Sequence, residues 1–230
     1  MRLPRPLIPA QMIARPSRFA LWADVNGQQC YVHVPNSGRM RELLYPGAPV
    51  CLRETPGDGR RTTHRLVLAR QGRTWVSVDS RLAPALLLEY LRLHPEVLGA
   101  VSHARREVAY GASRFDLELH TSRGIWVVET KSVTLCRNDR GLFPDAPTER
   151  GARHLCELAQ IARAGGQAAV VFVVQRSDAR SVAPNEATDP RFSTALREAS
   201  AAGVLPLALV CRVTAKAVTP HAFVPVELRP

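Results

Sequence analysis

The sequence predicts an α/β chain, α+β overall, in which a small β-barrel precedes a mixed α/β domain. Short apolar runs separated by turn dipeptides crowd the first 80 residues, and about five of them suit a small closed barrel. From Pro84 the pattern changes to helix-length segments alternating with strand-length ones. Gln167–Gln175, QAAVVFVVQ, is a continuous apolar run of the kind that fills the middle of a sheet covered on both faces. The expected division is a barrel over residues 1–80 and an α/β domain over 81–230.

In the barrel, RFALWADV (Arg18–Val25) and QQCYVHV (Gln28–Val34) flank Asn26-Gly27. Both turn residues tolerate positive φ, which a two-residue hairpin needs. PNSGRM (Pro35–Met40) is a polar loop, and APVCLRE (Ala48–Glu54) is a strand ended by Pro56-Gly57-Asp58-Gly59. Thr63–Gln71 and Arg73–Asp79 bracket Gly72 as a second hairpin. The pattern suits an OB-type barrel, and an SH3-like barrel would look similar. The first residues, MRLPRPLIPAQMIARP, are broken by prolines and read as neither a leader peptide nor a membrane span.

In the second part, PALLLEYLRLHPEVLG (Pro84–Gly99) reads as a helix with Pro84 in its first turn, a shared face of Leu87, Tyr90 and Leu91, and a close at Pro95 and Gly99. RREVAYG, SRFDLELH and GIWVVETKSV follow as strands. TERGARHLCELAQIARAGG reads as a helix with Thr148 as N-cap and Gly165-Gly166 as its stop. After the apolar run come the helix PRFSTALREASAAG, ended by Gly203, and the strand LPLALVCRV.

The 230 residues carry a formal net charge of +11, and a hydrophobic share of 46% marks a globular chain. Such a surplus calls for an acidic partner, with nucleic acid the commonest. Of 31 basic residues only Lys131 and Lys216 are lysines, a bias that partly reflects genome composition. The five cysteines are scattered, odd in number and lack a C-x-x-C pair. That argues against a disulfide framework or a zinc site, and suits a reducing cytoplasm.

The strand GIWVVETKSV places Glu129 and Lys131 within an apolar run. Side chains alternate along a strand, so these two share a face, while Val128 and Thr130 share the other. On the preceding strand Phe115, Leu117 and Leu119 form the apolar side, and Asp116, Glu118 and His120 the polar one. Pairing through the Thr121–Gly124 turn brings Asp116 beside Glu129. Adjacent carboxylates repel, and a divalent cation removes that repulsion, with Mg2+ or Mn2+ suited to oxygen ligands. Lys131 then stands near the scissile phosphate, as a charge or a proton carrier that arginine cannot be. The competing reading is a cross-strand ion pair on an exposed face.

The order Asp116…Glu129-Thr130-Lys131 within helix–strand–strand–strand–helix–strand resembles the PD-(D/E)xK nuclease superfamily. HVPNSGRM, REVAYGASRFDLEL, VVETKSVTL and GLFPDAPTERGARHLCEL resemble the bacterial and archaeal sugar fermentation stimulation protein A family over nearly the whole chain. The resemblance implies an N-terminal OB-fold joined to a restriction-endonuclease-like domain. It implies DNA binding without sequence specificity and a regulatory link to sugar metabolism. Two departures are visible: Phe115 stands where the superfamily has proline, and Thr130 where relatives usually have an aliphatic residue.

Around this centre, Glu89 and Glu107 are possible outer ligands, and Glu118 is expected to be a surface charge. Arg150 and His154, four apart near a helix start, are expected to contact phosphate, against a reading of cap arginine and surface histidine. Pro144 and Asp145 shape the loop before that helix. In the barrel, Phe19, Trp22, Tyr31 and Trp75 are options for base stacking, with Arg18, Arg39, Arg41, Arg60 and Arg61 for phosphates. Asn36, Ser37 and Gly38 either meet phosphate or only turn the chain. The expected function is that of a cytoplasmic DNA-binding protein without sequence specificity, whose nuclease-like site would bind Mg2+ or Mn2+ and hydrolyse phosphodiesters. A non-catalytic DNA-binding regulator and an RNA-binding or RNA-processing protein are the rivals.

Overall fold

The computed structural model describes residues 1–55, 61–111 and 113–229. Pro56-Gly57-Asp58-Gly59, read as a strand end, and Arg60, read as a phosphate contact, lie outside them. The first sheet holds β1 (Ile8–Ser17), β2 (Ala20–Val25), β3 (Gln28–His33), β4 (Pro49–Glu54), β5 (His64–Gln71) and β6 (Thr74–Ser77). Their order is β3-β2-β1-β4-β5-β6, and a parallel pairing of β3 with β5 closes β1–β5 into an OB barrel. Asn26 and Gly27 have φ of 52° and 87°, as the β2–β3 hairpin requires. Leu21, Ala23, Val32, Val50, Leu52 and Leu66 fill the barrel.

β1 is not visible in the sequence pattern. Pro9 and Pro16 lie inside it, where each lacks a donor for the ladder, and its pairing with β2 shifts register twice. The strand read over Arg73–Asp79 becomes β6, which extends the sheet beyond the point of closure.

The second domain opens with a 3-10 turn (Ser80–Leu82), α1 (Ala83–Leu91) and the single turn α2 (Pro95–Leu98). One helix over 84–99 was expected. It breaks before Pro95, which has no N–H to continue the ladder. Next come β7 (Val101–Tyr110), β8 (Ser113–Thr121), β9 (Gly124–Val133), β10 (Cys136–Arg137) and β11 (Arg140–Phe143). The chain continues through α3 (Glu149–Arg163), β12 (Gln167–Val174), β13 (Ser181–Pro184), α4 (Pro190–Ala201), β14 (Leu205–Val213) and β15 (Val218–Val224). Thr148 caps α3 as predicted, its hydroxyl accepting from Gly151 N–H at 3.0 Å.

The main sheet runs β15-β14-β12-β9-β8-β7, with β9, β12 and β14 parallel in its centre. β12 carries the apolar run and is buried on both faces, as expected. β10, β11 and β13 form a small separate sheet that holds the loop leading into α3. Its strands are too short to show a period, and β15 is masked by Pro220. α3 and α4 cover one face of the main sheet through Leu155, Leu158, Phe192 and Leu196. α1 covers the other, and Cys51, Val67 and Leu68 of the barrel join that same core. Among the described residues no helix is long and apolar enough to cross a membrane.

The two domains are also joined by polar contacts. Ser77 Oγ donates to Gln175 Oε1 at 2.7 Å, and Gln175 Nε2 donates to Asp79 O and Ser132 Oγ, each at 2.8 Å. Asp145 reaches from the loop before α3 to accept from Met40 N–H at 3.0 Å. It lies so close to Gly38 that a Cβ there would sit 2.5 Å from Asp145 Oδ2. Gly38→Ala is therefore expected to displace the Asp145 carboxylate and cost about 1–3 kcal/mol in denaturant unfolding. In an Asp145→Ala background the same substitution should cost much less, because its collision partner is gone. Equal costs in both backgrounds would refute this clamp.

Candidate functional site

Asp116 sits where the alternation of β8 breaks. Phe115 enters the core under α3, whereas Leu117 and Leu119 enter the core on the α1 face. The expected single apolar side of Phe115, Leu117 and Leu119 is thus divided between two cores. Opposite Asp116, between the pairs Arg106↔Leu117 and Val108↔Phe115, Glu107 takes a left-handed φ of 54°. The β8–β9 ladder ends at Leu117↔Val128, leaving the next amide of β9 on that side open. Asp116 fills the gap: its Oδ2 accepts from Thr130 N–H at 2.8 Å and also from the Thr130 hydroxyl. Thr130, a departure from the superfamily pattern, thereby orients the carboxylate.

Glu129 is buried at 5% exposure, and one oxygen carries all its hydrogen bonds. Lys131 Nζ and His154 Nδ1 each lie 2.7 Å from Oε1, while Oε2 is buried with no partner among the described residues. Arg150 Nε donates to His154 Nε2 at 3.3 Å. A guanidinium only donates, so Nε2 accepts and the ring carries its proton on Nδ1, toward Glu129. The result is a directed chain, Arg150 to His154 to Glu129.

The two carboxyls differ electrostatically. Burial and then the charge of Glu129 raise the Asp116 pKa above the ordinary range, against the pull of the Thr130 donors. Burial also pushes Glu129 upward, but its bonds to His154 and Lys131 outweigh this and hold its pKa below the usual value. Glu129 is thus the fixed anion, and Asp116 is the group whose ionisation a cation would relieve.

These residues line a cleft of ≈ 890 Å³ between the domains. Arg18, Ser37 and Gly38 enter from the barrel, and Arg81, Arg106, Glu107, Lys131 and Arg150 from the second domain. Asp116, Glu129 and Lys131 are brought together as the sequence implied, and Glu107 lies on the wall. Arg39 and Arg41 line an adjoining shallow groove with Arg15 and Arg18, so Arg18 belongs to both.

Several expectations need correction. Glu89 is outside the cleft: α1 turns it toward the N-terminal amino group, 2.9 Å from Oε2. His154 is no phosphate contact and no surface histidine: at 1% exposure it packs beside Phe115 and supports Glu129. Glu118 is no surface charge either. It is buried and accepts from Arg105 at 3.2 Å and Tyr110 at 2.5 Å, with His120 at 2.9 Å. Trp75 packs against the α1-side core, and Arg70 covers its ring. Asn36 turns inward, donating to Val78 O at 2.9 Å, while Ser37 is exposed at the cleft. Arg15, Arg81 and Arg106 went unread because single arginines in an arginine-rich chain carry no pattern.

Comparison with known proteins matches this two-domain architecture. Residues 79–217 match the model described as the sugar fermentation stimulation protein RE domain, and residues 13–78 match the SfsA N-terminal OB domain. The chain is 44% identical over 228 residues to the sugar fermentation stimulation protein homolog of Desulforamulus reducens, covering 96% of this chain and 93% of that protein. It is 47% identical over 214 residues to the homolog of Natranaerobius thermophilus, covering 90% and 89%. The solved structure of Pyrococcus furiosus SfsA in complex with Ca2+ superposes with a TM-score of 0.88 at 28% identity, over 99% of this chain and 98% of that one.

Proposed function

The chain belongs to the sugar fermentation stimulation protein family, and from that premise we propose that it is a cytoplasmic DNA-binding protein whose cleft hydrolyses phosphodiesters with a divalent cation. Its link to sugar use then runs through nucleic acid. One observation carries the reading: the buried Oε2 of Glu129, beside Asp116 and without a partner among the described residues. A buried anionic oxygen without a donor is costly, and a cation satisfies it.

The donor set is oxygen only, which suits a hard cation such as Mg2+ or Mn2+. Among the described residues no three His, Cys, Asp or Glu side chains converge into a ready-made metal cage. Two carboxylates, with water and a substrate phosphate completing the shell, are the usual provision for Mg2+. The P. furiosus relative was solved with Ca2+, another oxygen-seeking ion. When bound, such an ion supplies Lewis acidity and an activated water.

The chain's own residues do the rest. Asp116 and Glu129 would hold the ion, with Thr130 and His154 fixing their orientations. Lys131, whose side chain is only 11% exposed, holds its ammonium at the carboxylate and can meet an incoming phosphate. Arg18, Arg81, Arg106 and Arg150 supply the positive walls that draw the backbone in and orient it.

The direct test is strand cleavage with Mg2+, Mn2+ or EDTA on single-stranded DNA, duplex DNA and RNA. Cleavage that needs the metal and falls on the order of 10²-fold in Lys131→Ala is expected. Cleavage equal in EDTA, or none with either ion, would overturn the catalytic reading. Binding should also weaken steeply with salt, since phosphate contacts release counterions; affinity that ignores ionic strength would refute a phosphate grip.

A further inference from the structure

Beyond Arg18, a residue of the cleft, the chain carries exposed aromatic side chains that hydrolysis does not require. Arg18 lines both the cleft and the arginine groove. Phe19 follows it in the turn between β1 and β2 and is 55% exposed. β2 then sends Leu21 and Ala23 into the barrel core and Trp22 outward, 39% exposed. Trp22 pairs across the strands with Tyr31 of β3, ring centroids 4.8 Å apart and tilted 49°. On the same ring of Tyr31 lies the Arg61 guanidinium, 5.5 Å from the centroid.

Cross-strand packing explains the contact between Trp22 and Tyr31. It leaves unexplained why Phe19 and Trp22 are kept in water, on the outer side of a barrel whose inner side is fully apolar. Arginine side chains together with the exposed rings of Phe19 and Trp22 match the alternating chemistry of phosphates and unpaired bases. Duplex bases are stacked on their neighbours and offer no free face to such rings.

We infer that Phe19, Trp22, Tyr31 and Arg61 form a stacking platform for unpaired bases of single-stranded nucleic acid, which Arg18 and its groove lead into the cleft. The inference deepens the nuclease reading by naming its substrate class, and rests on that reading only for where the strand ends. Stacking is tolerant of base identity, so the platform gives grip without sequence preference. Both DNA and RNA single strands present the required faces.

The test is fluorescence anisotropy in EDTA, which keeps binding separate from cleavage. The probes are labelled oligo-dT and oligo-rU strands longer than an OB site of ~16 nucleotides, and a blunt duplex of equal length. Trp22→Ala and Phe19→Ala are each expected to weaken single-strand binding about ten-fold or more and to leave duplex binding within about two-fold. Trp22→Phe should restore most of the loss. Phe19 lies exposed in a turn, so its variant keeps the test open if Trp22→Ala unfolds. Single-strand binding unchanged in Phe19→Ala, or duplex binding lost equally, would overturn the platform. Intact stacking without metal-dependent cleavage would remove the nuclease reading alone, and cleavage with unchanged single-strand binding would remove the platform alone.

Discussion

Replacing Asp116 by alanine should lower metal-dependent cleavage on the order of 10³-fold, while nucleic-acid affinity measured in EDTA changes by no more than about two-fold. The separation follows from position. Asp116 lines the cleft as a carboxyl group and contributes no attraction to phosphate, whereas Arg18, Arg81, Arg106 and Arg150 line the same cleft and do. Alanine also strips an acceptor from the amide and hydroxyl of Thr130, so some stability is lost with the activity. Asp116→Asn resolves the two effects: it keeps an acceptor for Thr130 but loses the charge a cation needs. Asn should therefore restore the unfolding midpoint and leave cleavage absent. Cleavage at the parent rate in either variant would end the proposal that this carboxylate holds the ion.

The second large effect is expected at His154, which touches neither substrate nor metal in this reading. Its Nδ1 proton fixes Oε1 of Glu129 and so leaves Oε2 without a partner among the described residues. His154→Ala leaves a buried carboxylate with Lys131 as its sole partner, at a cost of about 1–3 kcal/mol of stability. Outer partners of metal ligands are typically worth 10–100-fold, and cleavage should fall by that much, with half-activation moved to higher Mg2+. His154→Asn retains an N–H near the Nδ1 position and should recover part of the loss. A purely structural histidine would alter stability without moving the metal midpoint, and that outcome would refute the positioning role. Arg150→Ala should show a weaker form of the same shift, because it acts one bond further out.

The parts of this site differ in how well the sequence disclosed them. Glu129 and Lys131 were legible because strand alternation is local: two residues apart always means one face. Asp116 was legible because a tight turn at Thr121–Gly124 fixes the register of the strands that leave it. His154 was misread because its spacing from Arg150 says only that both share a helix face. Which way that face turns depends on how α3 packs against β8 and β12. Glu118 was misread for a related reason, since three partners from β7 and β8 gather around a charge that sequence alone leaves in water.

The barrel-then-α/β order, the Asn26-Gly27 hairpin, the cap at Thr148 and the buried strand β12 were legible from local pattern, because each depends on neighbours within a few residues. Packing alone sets β1 between β2 and β4, pairs β3 with β5 to close the barrel, turns Glu89 to the amino terminus, and has Asp145 clasp Gly38 and Met40 across the domain boundary. Those outcomes join residues separated by scores of positions. Their energies exist only once the chain has folded, so no local pattern in the sequence records them.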